Sequence, residues 1–97
     1  MTTIEEIKRS IAECKEDLRL EYGVKEIGIF GSYAKGKQKT DSDLDILIEF
    51  ERPIGFVRLM RLEDRLSRLS GVKVEIVTRN ALKPYIGRRI LEDVVYV

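Results

Sequence analysis

The sequence predicts an α+β fold: a small mixed β-sheet with helices packed on one of its faces. Three observations carry this. Apolar residues near the start recur at helical spacing, a polar–apolar alternation fills residues 43–50, and four leucines across residues 59–69 return to helical spacing. The two periods separate the two kinds of element, because helical side chains repeat by turn and strand side chains by alternate faces. The chain has 97 residues, of which 43% are apolar. That supplies one hydrophobic core, so residues 1–97 are expected to form a single domain.

The opening helix has Ile4, Ile7, Ile11, Cys14 and Leu18 on one face, a 3-4-3-4 spacing. Thr3, with Glu6 three residues on, forms the capping box that starts it, and Gly23 ends it. Residues 24–30 are a short β-rich run, read as a buried strand. Gly31-Ser32-Tyr33-Ala34-Lys35-Gly36 then breaks the pattern, as a strand–glycine–serine–helix turn would. Polar residues follow up to Ser42, and residues 43–50 form the second strand. Leu44, Ile46, Ile48 and Phe50 share one of its faces, with Asp43, Asp45, Leu47 and Glu49 on the other.

Pro53 suits the first turn of the next helix. Leu59, Leu62, Leu66 and Leu69 form its apolar face, and Ser70-Gly71 is its stop. Residues 72–78 read as a third strand, with Val72, Val74 and Ile76 opposite Lys73, Glu75 and Val77. Asn80 is expected to cap a last helix over residues 84–92, and residues 94–97 to form a short strand or docking segment. Tyr85 and Tyr96 are expected to pack or to serve an interface.

Composition excludes several kinds of chemistry. With no His, the chain cannot build Ser-His-Asp or Cys-His machinery or a His-ligated zinc site. The lone Cys14 rules out an internal disulfide and fits a reducing, cytoplasmic location. No apolar stretch approaches the roughly 18–20 residues that span a bilayer, so no membrane association is expected. The first six residues lack the basic start and apolar core of a signal peptide. Abundant Glu, Lys and Arg beside only two side-chain amides resemble the balance of thermophile proteins.

The net charge of +1 hides an asymmetry: residues 1–51 carry −4 and residues 52–97 carry +5. Arg58, Arg61, Arg65 and Arg68 recur at 3-4-3 spacing and line one stripe beside the leucine face. The stripe reads either as a solvated face paired with Glu63 and Asp64 or as a docking surface for an acidic partner. It lacks the interleaved aromatics of a single-strand nucleic-acid platform, so direct nucleic-acid binding is not expected. Cys14 lies on the apolar stripe of its helix and reads as a packing residue.

Asp43 and Asp45 stand two residues apart in a strand, so they point from one face at about 6–7 Å between Cα atoms. Two carboxylates so close repel, and a strand that keeps both ionised normally has a divalent cation to hold. Glu75 has the matching address on the next strand; if the two strands are neighbours, three carboxylates converge. Oxygen-only donors suit Mg²⁺ or Mn²⁺. Gly31-Ser32, at the end of a strand, offers backbone N–H groups and a hydroxyl to an anion. Each feature alone is more often an ordinary strand end or turn; their joint spacing makes them specific. Lys35, Lys37 and Lys39 lie between the two motifs, and Tyr33 could flank a base or pack in the core.

Gly31-Ser32-x10-Asp43-x-Asp45, followed by Glu75, resembles the signature of the DNA polymerase β nucleotidyltransferase superfamily. The length and the opening helix resemble its smallest branch, the minimal nucleotidyltransferase (MNT) domains. The resemblance implies a polymerase β palm-like fold. It implies that Asp43 and Asp45 bind two Mg²⁺ or Mn²⁺ ions and that Ser32 with the Gly31 backbone holds the triphosphate of ATP. Glu75 falls at the third-carboxylate position, where Asp is commoner in the superfamily, as metal ligand and proton acceptor. The resemblance also implies a HEPN-domain toxin as partner, whose tyrosine hydroxyl receives AMP while pyrophosphate is released. Two alternatives stand beside this protein adenylyltransferase reading. One is a non-catalytic antitoxin that neutralises by binding, and the other is transfer to a small-molecule hydroxyl with a homodimer completing the pocket.

Overall fold

Thr3 sits in extended backbone, and its hydroxyl accepts a hydrogen bond from the Glu6 N–H at 3.3 Å. This cap satisfies one of the amides that a helix start leaves open, and α1 (Ile4–Glu13) begins there as expected. The computed structural model describes residues 3–82 and 84–97, the side chains of residues 84–86 excepted. The helix does not run on to Gly23, however. Cys14 leaves helical torsions at φ −105° and ψ 3°, and its N–H turns back to Ile11 O at 3.0 Å. A second helix, α2 (Lys15–Tyr22), follows and ends on Gly23 at φ 71°. An unbroken helix from Ile4 to Tyr22 would run about 28 Å, close to the molecule's longest extent of 32 Å. The break lets Ile7, Ile11 and Leu18 all stay buried as the chain bends around the core.

β1 (Val24–Phe30) pairs antiparallel with β2 (Leu44–Phe50), with a bulge between Val24 and Glu26. The Gly31–Gly36 segment between them makes one helical turn, with Lys35 N–H on Gly31 O at 3.2 Å and Lys37 N–H on Ser32 O at 2.9 Å. No helix grows from it, because the polar residues that follow have no apolar face to bury. Gly55, not Pro53, precedes α3 (Phe56–Ser70); Pro53 stays in the loop, and the Leu59 N–H bonds Gly55 O at 3.0 Å. α3 ends on Gly71 at φ 76°. There Ser67 Oγ accepts the Val74 N–H at 3.0 Å, so Val72 and Lys73 stay outside the third strand, β3 (Val74–Thr78).

Asn80 lies inside a 3-10 turn over Arg79–Ala81 and does not cap the last helix, α4 (Pro84–Asp93). β4 (Val95–Tyr96) then returns antiparallel to β1. The side chain of Tyr85 lies outside the described residues.

The sheet is mixed, in the order β3-β2-β1-β4, with β2 and β3 parallel and the other pairs antiparallel. Ile27, Ile29, Ile46 and Ile48 from the sheet meet Ile7, Ile11, Leu62 and Leu66 from the helices in one core. This is the α+β architecture that the two periods predict. The alternation in β2 also holds: Leu44, Ile46 and Ile48 are fully buried, and Asp45 and Glu49 face the other way. Among the described residues no helix is long and apolar enough to cross a membrane.

Candidate active site

β1 ends at Phe30, and the chain must turn at once to leave the sheet. Gly31 does this at φ 75°, a torsion that costs an L-residue roughly 1–2 kcal/mol. A second constraint acts on the same residue. A Cβ built on Gly31 would overlap the Asp45 carboxylate, so the bare backbone lets the turn lie against that side chain. Phe30 and Asp45 are register partners across β1 and β2, and Asp45 and Glu75 are register partners across β2 and β3. The two motifs and the third carboxylate therefore meet where β1 ends and β2 and β3 begin.

Parallel partners point their side chains to the same face, and neighbouring strands lie about 4.8 Å apart. Asp45 and Glu75 are thus neighbours on the face away from the α1–α3 core. Asp43 just precedes β2 and is half-buried. Burial first, and then the negative charges of Glu75 and Asp43, hold the Asp45 carboxyl above its ordinary pKa. Ser32 follows Gly31 in the turn and is also half-buried.

As the side chains stand, no group of three acidic or sulfur side chains among the described residues is gathered closely enough to hold a metal ion. The fit to a divalent cation is one of donor chemistry and register. The donors are hard oxygens, and they repel one another without a cation.

Lys35 reaches from the turn toward α4, with its Nζ 3.6 Å from Asp93 Oδ2. Between turn and helix lies a cavity of about 180 Å³ lined by Phe30, Gly31, Lys35, Arg89, Ile90 and Asp93. Sequence reasoning missed Arg89 and Asp93, since nothing in their spacing ties α4 to a turn more than fifty residues earlier. Lys37 and Lys39 remain exposed in the loop before β2. A larger hollow of about 390 Å³ opens at the far end of β2, around Phe50, Arg52, Pro53 and Arg79, and touches none of the motif residues.

Tyr33 does not face the site. It is 4% exposed and belongs to the core, which decides between its two sequence readings. The arginine stripe is split. Arg58 donates to Glu21 O at 2.8 Å and Arg65 pairs with the Glu21 carboxylate at 2.7 Å, so both tie α3 to α2. Arg68 pairs with Asp64 at 3.0 Å, while Glu63 instead accepts the Ile76 N–H at 3.2 Å.

Over residues 11–97 the chain matches the family described as Nucleotidyltransferase domain. It is 43% identical to the protein adenylyltransferase MntA of Thermococcus cleftensis, across 100% of this chain and 98% of that protein. It is 45% identical, over all of both chains, to a Methanocaldococcus jannaschii protein named as a candidate protein adenylyltransferase. A solved structure described as a candidate minimal nucleotidyltransferase superposes with a TM-score of 0.76 at 33% identity, covering 90% of this chain and 89% of that one. A toxin–antitoxin complex with AMP-PNP gives the same TM-score at 19% identity, covering 92% and 70%, a likeness of fold.

Proposed function

This chain belongs to the nucleotidyltransferase domain family, and from that premise we propose that it is the antitoxin of a HEPN-domain toxin. On this reading residues 1–97 form one minimal nucleotidyltransferase domain that moves AMP from ATP to a tyrosine hydroxyl of the toxin. The observation that carries it is the register of the sheet, which pairs Asp45 with Glu75 beside the Gly31 turn.

The Gly31 backbone and the Ser32 hydroxyl hold the triphosphate, since a turn without a Cβ lets an anion approach N–H groups directly. Asp43, Asp45 and Glu75 would hold Mg²⁺, which supplies positive charge against the phosphates and lowers the pKa of the acceptor hydroxyl. The tyrosine oxygen attacks the α-phosphorus, the bond from that phosphorus to the bridging oxygen breaks, and pyrophosphate leaves. Glu75, exposed and free of the core, takes the hydroxyl proton. On this reading the partner brings its own docking surface.

A second reading, neutralisation by docking alone, draws on the start of α3. Phe56 is 76% exposed, and Val57 and Met60 are exposed beside it. Intact-mass spectrometry of the HEPN partner after incubation with ATP, Mg²⁺ and this chain separates the two. Mass gained in steps of one AMP, lost with the Asp43→Ala/Asp45→Ala double variant, is the expected result. A stable complex without mass gain would replace transfer by docking.

A further inference from the structure

The cavity beside Gly31 has two walls of different origin: the turn that follows β1, and one side of α4. Its charged groups are Lys35, Arg89 and Asp93. Arg89 and Asp93 are four residues apart on α4, the spacing at which a helix normally pairs opposite charges. Here Asp93 instead approaches Lys35, across the cavity, at 3.6 Å. Among the described residues Arg89 has no acidic side chain within 4.0 Å. Arg89 therefore lines the cavity without an acidic partner among the described residues, while the carboxylate one turn away is engaged by Lys35.

Gly31 connects this cavity to the carboxylates. Its backbone lies against the Asp45 carboxylate, and the same residue lines the cavity. A polyphosphate with its reacting phosphorus near Asp45 would extend past the Gly31 turn into the space that Arg89 borders. The planar fork of arginine matches paired phosphate oxygens, whereas lysine offers a point charge.

We propose that Arg89 is a phosphate ligand of the donor nucleotide, gripping the phosphates that leave as pyrophosphate, and that Asp93 tempers this grip by competing for Lys35. The inference rests on the reading of Gly31, Ser32 and Asp45 as the donor site, and adds α4 as its second wall. Among the described residues Asp93 is the lone negative charge lining the cavity, so removing it frees Lys35 and relieves repulsion of the phosphates. All three groups are accessible to solvent, so both effects shrink as salt is raised.

Calorimetric titration of the intact chain with ATP, ADP and AMP in Mg²⁺ tests this, using Arg89→Ala, Arg89→Lys and Asp93→Asn. Arg89→Ala should weaken ATP about tenfold or more and leave AMP within about twofold, because only the outer phosphates lose a partner. Arg89→Lys should fall between wild type and Ala, and Asp93→Asn should tighten ATP by a few fold. Equal losses for ATP and AMP would make Arg89 a residue that merely holds α4 in place, and would overturn the proposal. So would unchanged ATP binding by Arg89→Ala in a protein whose wild type binds ATP. Weaker ATP binding by Asp93→Asn would overturn the competition with Lys35. A wild type that binds no nucleotide would overturn the donor-site reading and this inference together.

Discussion

Asp45 and Glu75 are direct register partners on parallel strands, so two like charges share one face of the sheet at a single strand spacing. Burial and these neighbours, Glu75 ahead of Asp43, hold the Asp45 carboxyl above its ordinary pKa. The folded state therefore binds that proton more tightly than the unfolded chain. Stability from this group is present at low pH. It declines as pH rises from the unfolded carboxylate value of about 3.9 through the raised folded value. Asp45→Asn should raise Tm at pH 7 in the absence of divalent cations, and the gain should vanish below about pH 4. Thermal melts across that range check it; a lower Tm for Asp45→Asn at pH 7 would contradict the sign.

The same repulsion makes a cation stabilising. Mg²⁺ or Mn²⁺ at concentrations above its dissociation constant should raise the Tm of the wild-type chain, because a ligand that binds only the folded state shifts the equilibrium toward it. Asp43→Asn/Asp45→Asn should show no such rise. Differential scanning fluorimetry with and without chelator measures this, and an equal response of the two proteins would remove the carboxylates from any metal site.

Gly31→Ala meets two obstacles, the left-handed torsion and the Asp45 carboxylate. Gly36→Ala meets only the first, since Gly36 has φ 68° and open space around it. The Gly36 variant should lose roughly 1–2 kcal/mol of stability. Gly31→Ala should lose more and should also abolish AMP transfer, because the turn and Asp45 must move apart. Urea unfolding alongside the mass assay compares them; full transfer by Gly31→Ala would show that the close approach is dispensable.

Phe56 and Met60 stand four residues apart on the exposed start of α3, at 76% and 53% exposure. Phe56→Asp/Met60→Asp should change stability by about 0.5 kcal/mol or less, since neither side chain supports the core. If the partner docks on this apolar start, its dissociation constant should rise by about tenfold or more. Surface plasmon resonance with the proposed HEPN partner reads this, and unaltered affinity would place docking elsewhere.

Much of the fold was legible because it is written over short stretches of chain. The Thr3–Glu6 cap, the alternation in residues 44–50, the Leu62 and Leu66 face and the Gly71 stop each depend on residues within a few positions of one another. Local torsion and burial of one face decide these, so the residues by themselves determined that two periods, one core and the Gly31-Ser32 and Asp43-x-Asp45 motifs would be present. The tertiary structure alone decided that β3 lies parallel beside β2, which brings Glu75 to Asp45 across thirty residues. It also decided that Tyr33 turns inward, that Cys14 breaks the first helix, and that Arg89 and Asp93 reach the Gly31 turn. Those outcomes are settled by how the elements close over a shared core, a condition that no local run of residues contains.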